Sequence, residues 1–266
     1  MDKIIKDTSF DEERALYASK NLTLINVAFD GKADGESALK ECENITAIDC
    51  YFNLRYPMWH VDGLKISDCT MTENCRAALW YSSGVNVENS TLFGIKAVRE
   101  CKEVKLVNCN IVSPELGWFT QNITLENCRV TSEYFLLKAG DISLNNVTFN
   151  GKYSFQYVVG GVIENCTLNT KDAFWHAKGL RIKNCKVIGE YLGWYSEGLT
   201  FENCHISGTQ PLCYCKNLTL INCSMEGCDL AFERSEVQAT VTTKIDSVKR
   251  PYTGKITALE IGEIVD

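Results

Sequence analysis

The sequence predicts an all-β, single-domain chain wound as a parallel β-helix of about 12 coils, and three observations lead there. Asparagines fall at 89, 108, 127, 146, 165, 184, 203 and 222, seven consecutive steps of 19 residues. A period that strict marks stacked units, each covering its neighbour's apolar side. Within a repeat the alternation is that of a strand. In residues 123–130, Ile123, Leu125, Cys128 and Val130 are expected inside, while Thr124, Glu126 and Arg129 face water. Bends recur at fixed places too. The Asn column interrupts each alternation, as a residue tolerant of the left-handed region should. A second bend column holds Asn21, Asn44, Gly63, Gly84, Asn122, Asp141, Gly179, Gly198 and Asn217, with Glu103 as its exception. Gly31, Gly94, Gly151, Gly189, Gly208 and Gly227 mark a third bend. Three bends imply three short strands per coil.

Taken in order, residues 1–20 form an N-terminal cap or first coil. Ile5, Asp7 and Phe10 lie 19 before Leu24, Asn26 and Phe29, yet residues 11–17 also suit a short helical cap. The β-helix proper is expected over 21–243. Its early steps, Asn26 to Asp49 (23), Asp49 to Asp68 (19) and Asp68 to Asn89 (21), place insertions at 31–36 and 72–75. Val237 opens a degenerate coil in which Val241 replaces the Asn and Thr242 takes the place of the Cys after it. Residues 244–266, with Pro251 and Gly254, read as a C-terminal cap.

Fourteen cysteines invite a disulfide scaffold, but eight of them (50, 69, 109, 128, 166, 185, 204 and 223) directly follow the Asn column. Val27, Ser90 and Val147 stand in the same place, so the column asks for a small buried group. Stacked at about 4.8 Å, such thiols are too far apart for easy bridging and are expected reduced. Cys213 is expected to point outward. No CxxC pair or Cys/His cluster suggests a metal or cofactor.

The net charge of -7 comes without a basic block, which argues against a nucleic-acid partner. Residues 1–10 lack the apolar run of a signal peptide, and no stretch approaches the ~18 apolar residues of a membrane span. A soluble, cytoplasmic protein with no membrane partner is the expectation.

Solenoids bind along the positions their repeat leaves free. Nine residues before each Asn-column residue stand Trp59, Trp80, Arg99, Trp118, Leu137, Gln156, Trp175 and Trp194, a column holding all five tryptophans. The next column carries His60, Tyr81, Glu100, Phe119, Lys138, Tyr157, His176, Tyr195 and Tyr214. Indoles and phenols with polar groups at their edges suit sugar rings. The expected ligand-binding residues are therefore Trp59, His60, Trp80, Tyr81, Trp118, Gln156, Tyr157, Trp175, His176, Trp194 and Tyr195, and the expected ligand is an extended carbohydrate. Two other readings stand beside it. Arg99, Glu100, Glu115 and Lys138 are candidate catalytic residues of a lyase or glycoside hydrolase, through a carboxylate pair or a basic proton acceptor. Alternatively, aromatic columns stack on themselves and support a structural role or a homo-oligomer through this face.

The coil pattern over roughly 20–245 resembles the right-handed β-helices of the pectin-lyase-like superfamily, with their internal Asn ladder at one bend. The resemblance implies right-handed winding. Its paired-Asp motif of the polygalacturonase kind and a calcium-binding carboxylate cluster are missing here. The stretches Arg55-Tyr56-Pro57-Met58-Trp59-His60, Arg76-Ala77-Ala78-Leu79-Trp80-Tyr81 and Lys171-Asp172-Ala173-Phe174-Trp175-His176 look like an uncharacterised bacterial family of such β-helices, a domain of unknown function. That likeness implies a fold and no reaction.

Overall fold

The computed structural model describes residues 3–266, which are nearly all strand and turn. The chain divides into two compact units, Met1–Ser132 and Glu133–Asp266. Each is a parallel β-solenoid with the expected 19-residue step.

In the first unit seven strands form the ladder of one side: Lys3–Phe10, Lys20–Phe29, Glu43–Ile48, Asp62–Ser67, Ser83–Glu88, Lys102–Val107 and Gln121–Glu126. They pair in parallel, Leu22 with Ile45, Ile45 with Leu64, Leu64 with Val85 and Val104 with Ile123. These partners reproduce the sequence steps of 23, 19, 21 and 19. The second side continues beyond the Asn bend in shorter strands such as Thr91–Phe93 and Asn110–Val112. The smaller insertion is a single 3-10 turn, Glu73–Cys75. The other unit repeats the plan with seven strands, from Gly140–Asn145 to Thr253–Thr257. There are thus about 14 turns rather than 12. The two extra rungs are Lys3–Phe10 and Thr253–Thr257, neither of which needs an Asn to pair.

The core is what alternation demands. Leu22, Leu24, Ile123 and Leu125 are at most 2% exposed, and stacked rings fill the interior beside them. Phe29 lies 5.0 Å from Phe52, and Phe155 lies 4.9 Å from Phe174. The Asn column is left-handed throughout, with φ of 50–57° at Asp68, Asn89, Asn108 and Asn203 among others. Its amides face outward, contrary to the internal ladder that the resemblance implied. Asn108 Nδ2 donates to Asn89 Oδ1 at 3.1 Å, and Asn222 Nδ2 donates to Asn203 Oδ1 at 2.8 Å. The bend turns their Cβ atoms to water while the following Cys turns in.

Three further expectations need correction. The third side is not a strand ladder in Glu133–Asp266: it is a stack of turns, and only short pairs such as Leu79–Trp80 with Val98–Arg99 are strands in the first unit. Val241 does not occupy the Asn place. A register shift pairs it with Cys223, so it moves inside and Thr242 loses that position. Cys213 is fully buried, because its thiol is enclosed where it donates to the carbonyls of Pro211 and Leu230. At the N-terminus, where both readings were open, Lys3–Phe10 is a strand followed by turns over 11–18, and residues 244–266 carry three strands, of which Thr253–Thr257 pairs with Glu236–Val241.

All fourteen cysteines are free and buried. Burial pushes the Cys101 and Cys215 thiols up to about 11 and those of Cys75 and Cys228 up to about 12. A proton held more tightly in the folded state stabilises it below the unfolded value near 9, and that stabilisation is lost as pH climbs through the folded values. The denaturation midpoint in urea should therefore fall between pH 9 and pH 11. Native protein at pH 8 should leave nearly all thiols unreacted with an aromatic disulfide reagent, and a native count near fourteen would contradict the buried ladder.

Candidate functional site

The third side is made of residues that ordinarily avoid its backbone. His60, Tyr81, Glu100 and Phe119 in one unit, and Lys138, Tyr157, His176, Tyr195 and Tyr214 in the other, all have φ between 51° and 61°. A bulky residue at positive φ is an outlier that costs about 1–3 kcal/mol. The left-handed columns at the bends of the other two sides hold mostly Asn, Asp and Gly, which relieve that strain, whereas this side also has Phe155, Phe174 and Leu212 at φ of 60–62°. Here the side chains stay large, so they contribute something the backbone alone does not require.

Much of that contribution is stacking. In Met1–Ser132, Trp59 and Trp80 are 5.4 Å apart at 12°, and His60 and Tyr81 are 5.0 Å apart at 20°. Lys40 caps Trp59 with its ammonium 4.7 Å from the ring centroid. Arg99 takes the ring's place on the next rung, with its guanidinium 5.7 Å from Trp80 and 5.1 Å from Trp118. The same guanidinium meets Glu100 at 3.2 Å and Glu115 at 3.2 Å, and Lys96 reaches Glu115 at 3.7 Å. The structure thus brings together three of the four catalytic candidates. It joins them as an ion-pair network held between indoles.

In Glu133–Asp266 the outer column is a longer ladder. Tyr157 and His176 stack at 4.8 Å, His176 and Tyr195 at 5.2 Å, and Tyr195 and Tyr214 at 4.9 Å, all within 12° of parallel. Behind it Trp175 and Trp194 stack at 5.5 Å. The rungs are tied by the backbone: the N–H groups of Tyr157, His176 and Tyr195 donate to the carbonyls of Trp175, Trp194 and Cys213. Side chains of the Trp column donate to the carbonyl sixteen residues on, Gln156 to Asp172, Trp175 to Tyr191 and Trp194 to Gln210. The indole N–H groups of Trp59 and Trp80 are buried without such a partner. Lys138 places its ammonium 5.8 Å from the Tyr157 centroid.

Along both ladders, then, ring faces meet neighbouring rings or the cations Lys40 and Arg99, and edges and polar tips meet solvent. Tyr157 and Tyr195 are 45% and 48% exposed. The Tyr214 phenol is raised by burial and by its hydrogen bond to Glu233. Among the described residues, no group of three or more His, Cys, Asp and Glu side chains is placed to hold a metal ion, and no helix is long and apolar enough to cross a membrane. Sequence reasoning overlooked two depressions on the first side of Met1–Ser132, lined by Asn44, Gly63, Gly84 and Lys65 among others. The two consecutive glycines beside two asparagines were a signal, read only as bend chemistry.

Comparison with known proteins gives a family. Residues 3–266 match the family described as "Protein of unknown function (DUF3737)". The chain belongs to that family. Among curated proteins, none matches it. Several solved structures are similar. One is HetL, a pentapeptide repeat protein involved in heterocyst differentiation regulation from the cyanobacterium Nostoc sp., at 12% identity over 83% of this chain and 92% of that one, TM-score 0.35. Another is the A-module of the mannuronan C-5 epimerase AlgE6 from Azotobacter vinelandii, at 12% identity over 98% and 88%, TM-score 0.35. A third is PfbA, a surface adhesin of Streptococcus pneumoniae, at 10% identity over 92% and 72%, TM-score 0.36. At such identities and scores these likenesses assign no activity to this chain.

Proposed function

We propose that the protein binds an extended carbohydrate along the outer ladder of Tyr157, His176 and Tyr195, as a binding protein rather than a catalyst. The observation that carries the reading is the spacing of that ladder: 4.8 and 5.2 Å between successive rings. An extended chain of linked pyranose rings advances by nearly that distance per residue, so one rung can serve one sugar. An extended peptide repeats its side-chain pattern every two residues, about 6.6 Å, and a polyproline helix about every 9.3 Å, so both drift out of step. Among the described residues the phenol hydroxyls of Tyr157 and Tyr195 make no hydrogen bond, and each can both donate and accept. Because ring faces are covered, recognition is by edges and tips, not by stacking on open indoles. The resemblance to pectin-lyase-like β-helices agrees with this reading and adds no residue to it.

The double variant Tyr157→Phe/Tyr195→Phe keeps both rings stacked and removes two hydroxyls. Each lost hydrogen bond is worth about 0.5–1.5 kcal/mol, so affinity for a bound oligosaccharide should fall by roughly five- to 150-fold while the thermal midpoint barely moves. Unchanged affinity would sink the assignment. If instead the wild type dimerises in sedimentation and the variant does not, the strip is a contact with a second copy.

A further inference from the structure

We propose that the unit Met1–Ser132 carries a second ligand site on its first side, shaped for a small polyhydroxylated monoanion such as a sugar acid. Two depressions of about 190 Å³ and 320 Å³ adjoin there, with Thr46 and Lys65 in the walls of both. The hollow follows from the bend column. Asn44 Nδ2 donates to Asn21 Oδ1 at 3.1 Å, starting an amide ladder like those of the other bend. On the next two rungs Gly63 and Gly84 end it and leave bare backbone. A Cβ on Gly63 would stand 2.8 Å from Asn44 Oδ1, so the position stays empty while that amide points where it does.

Charge selects the ligand. Lys65 pairs with no carboxylate among the described residues, whereas Lys105, in the same column, meets Glu126 at 3.1 Å, and Lys20 meets Glu43 at 2.8 Å. An exposed, unpaired ammonium in the shared wall offers one counter-charge. Glu88 in the wall of the second depression opposes a second negative charge, which disfavours a phosphate dianion. Around Lys65 the groups are neutral and hydrogen-bonding: Asn44 Oδ1 to accept, Thr46 and Asn86 to do either. One carboxylate with several hydroxyls satisfies all of them. The site is independent of the outer aromatic ladder.

Calorimetric titration of the full chain with gluconate and glucuronate, against glucose and inorganic phosphate, tests the proposal. Both acids should bind, and glucose and phosphate more weakly. Lys65→Met should lower affinity for the acids about fivefold at low salt, and added salt should erase that difference. Gly84→Asn should abolish binding by filling the bare upper rung with an amide side chain. Gly84 has φ of 62°, which Asn adopts, and an added Cβ meets only Gly63 backbone atoms at 3.6 Å, so the fold should stand. Lys105→Met should change nothing. The proposal is overturned by no heat from either acid at millimolar concentration, by phosphate or glucose binding as well as the acids, or by both site variants binding like wild type. Should one variant fail to fold, the other decides.

Discussion

Phe174→Ala is expected to lower the stability of Glu133–Asp266 by about 3–5 kcal/mol, the range for emptying a large aromatic from a packed core. Phe174 is 0% exposed. It stacks on Phe155 at 4.9 Å and meets Phe201 edge-on at 6.2 Å. Its backbone is also left-handed, with φ of 62°, and the interior stack is what holds it there. Removing the ring takes away contacts on both sides of a rung, and neighbours fixed at the rung spacing cannot collapse into the gap. Urea unfolding followed by tryptophan emission reads the change, since Trp175 and Trp194 lie in the same unit. A loss under about 1 kcal/mol would mean the ring is not packed as described.

The second large effect is expected at Gly189, where a single methyl group meets backbone. A Cβ there would lie 1.9 Å from the Thr170 carbonyl oxygen and 2.7 Å from its carbon, and φ of 153° is one that residues with side chains rarely adopt. The carbonyl cannot swing away cheaply, because it belongs to the rung beneath, where the buried Thr170 hydroxyl is hydrogen-bonded to Ser154 at 2.7 Å. Gly189→Ala should therefore cost about 3 kcal/mol or more, whereas a glycine replacement that the backbone accepts stabilises by about 0.4–1 kcal/mol. The check is the same urea titration, with hydrogen exchange at Gly189 N–H, which donates to Ser207, as the local readout. Protection equal to wild type would contradict the close approach.

These residues also show how far the sequence could be read. The Asn column, the inward alternation and the two insertions were legible because each is a one-dimensional pattern, and a ladder turns such a pattern directly into register. Leu22 meeting Ile45 across a step of 23 needed nothing more than counting. The third side was less legible. Left-handed Tyr, His and Phe contradict the rule that bends select Asn and Gly, so composition pointed to strand where the chain makes turns. The aromatic columns were visible, but not that their faces would be spent on one another, since that depends on side-chain rotation. Nor did spacing show that Arg99 would bind both candidate carboxylates, because Glu115 comes from a different column. The slip at Val241 arises where the repeat decays toward residue 244, and a decaying period no longer predicts register.

The ladder's proposed use is tested most directly by how binding depends on ligand length. Unbranched oligosaccharides of one to six units should be titrated into the protein while the ring resonances of Tyr157, His176 and Tyr195 are followed. If each rung serves one sugar, affinity should climb with every unit until the three rungs are filled and then level off, with all three residues shifting together in the longer ligands. A monosaccharide binding as tightly as a tetrasaccharide, or shifts confined to residues off this column, would contradict it.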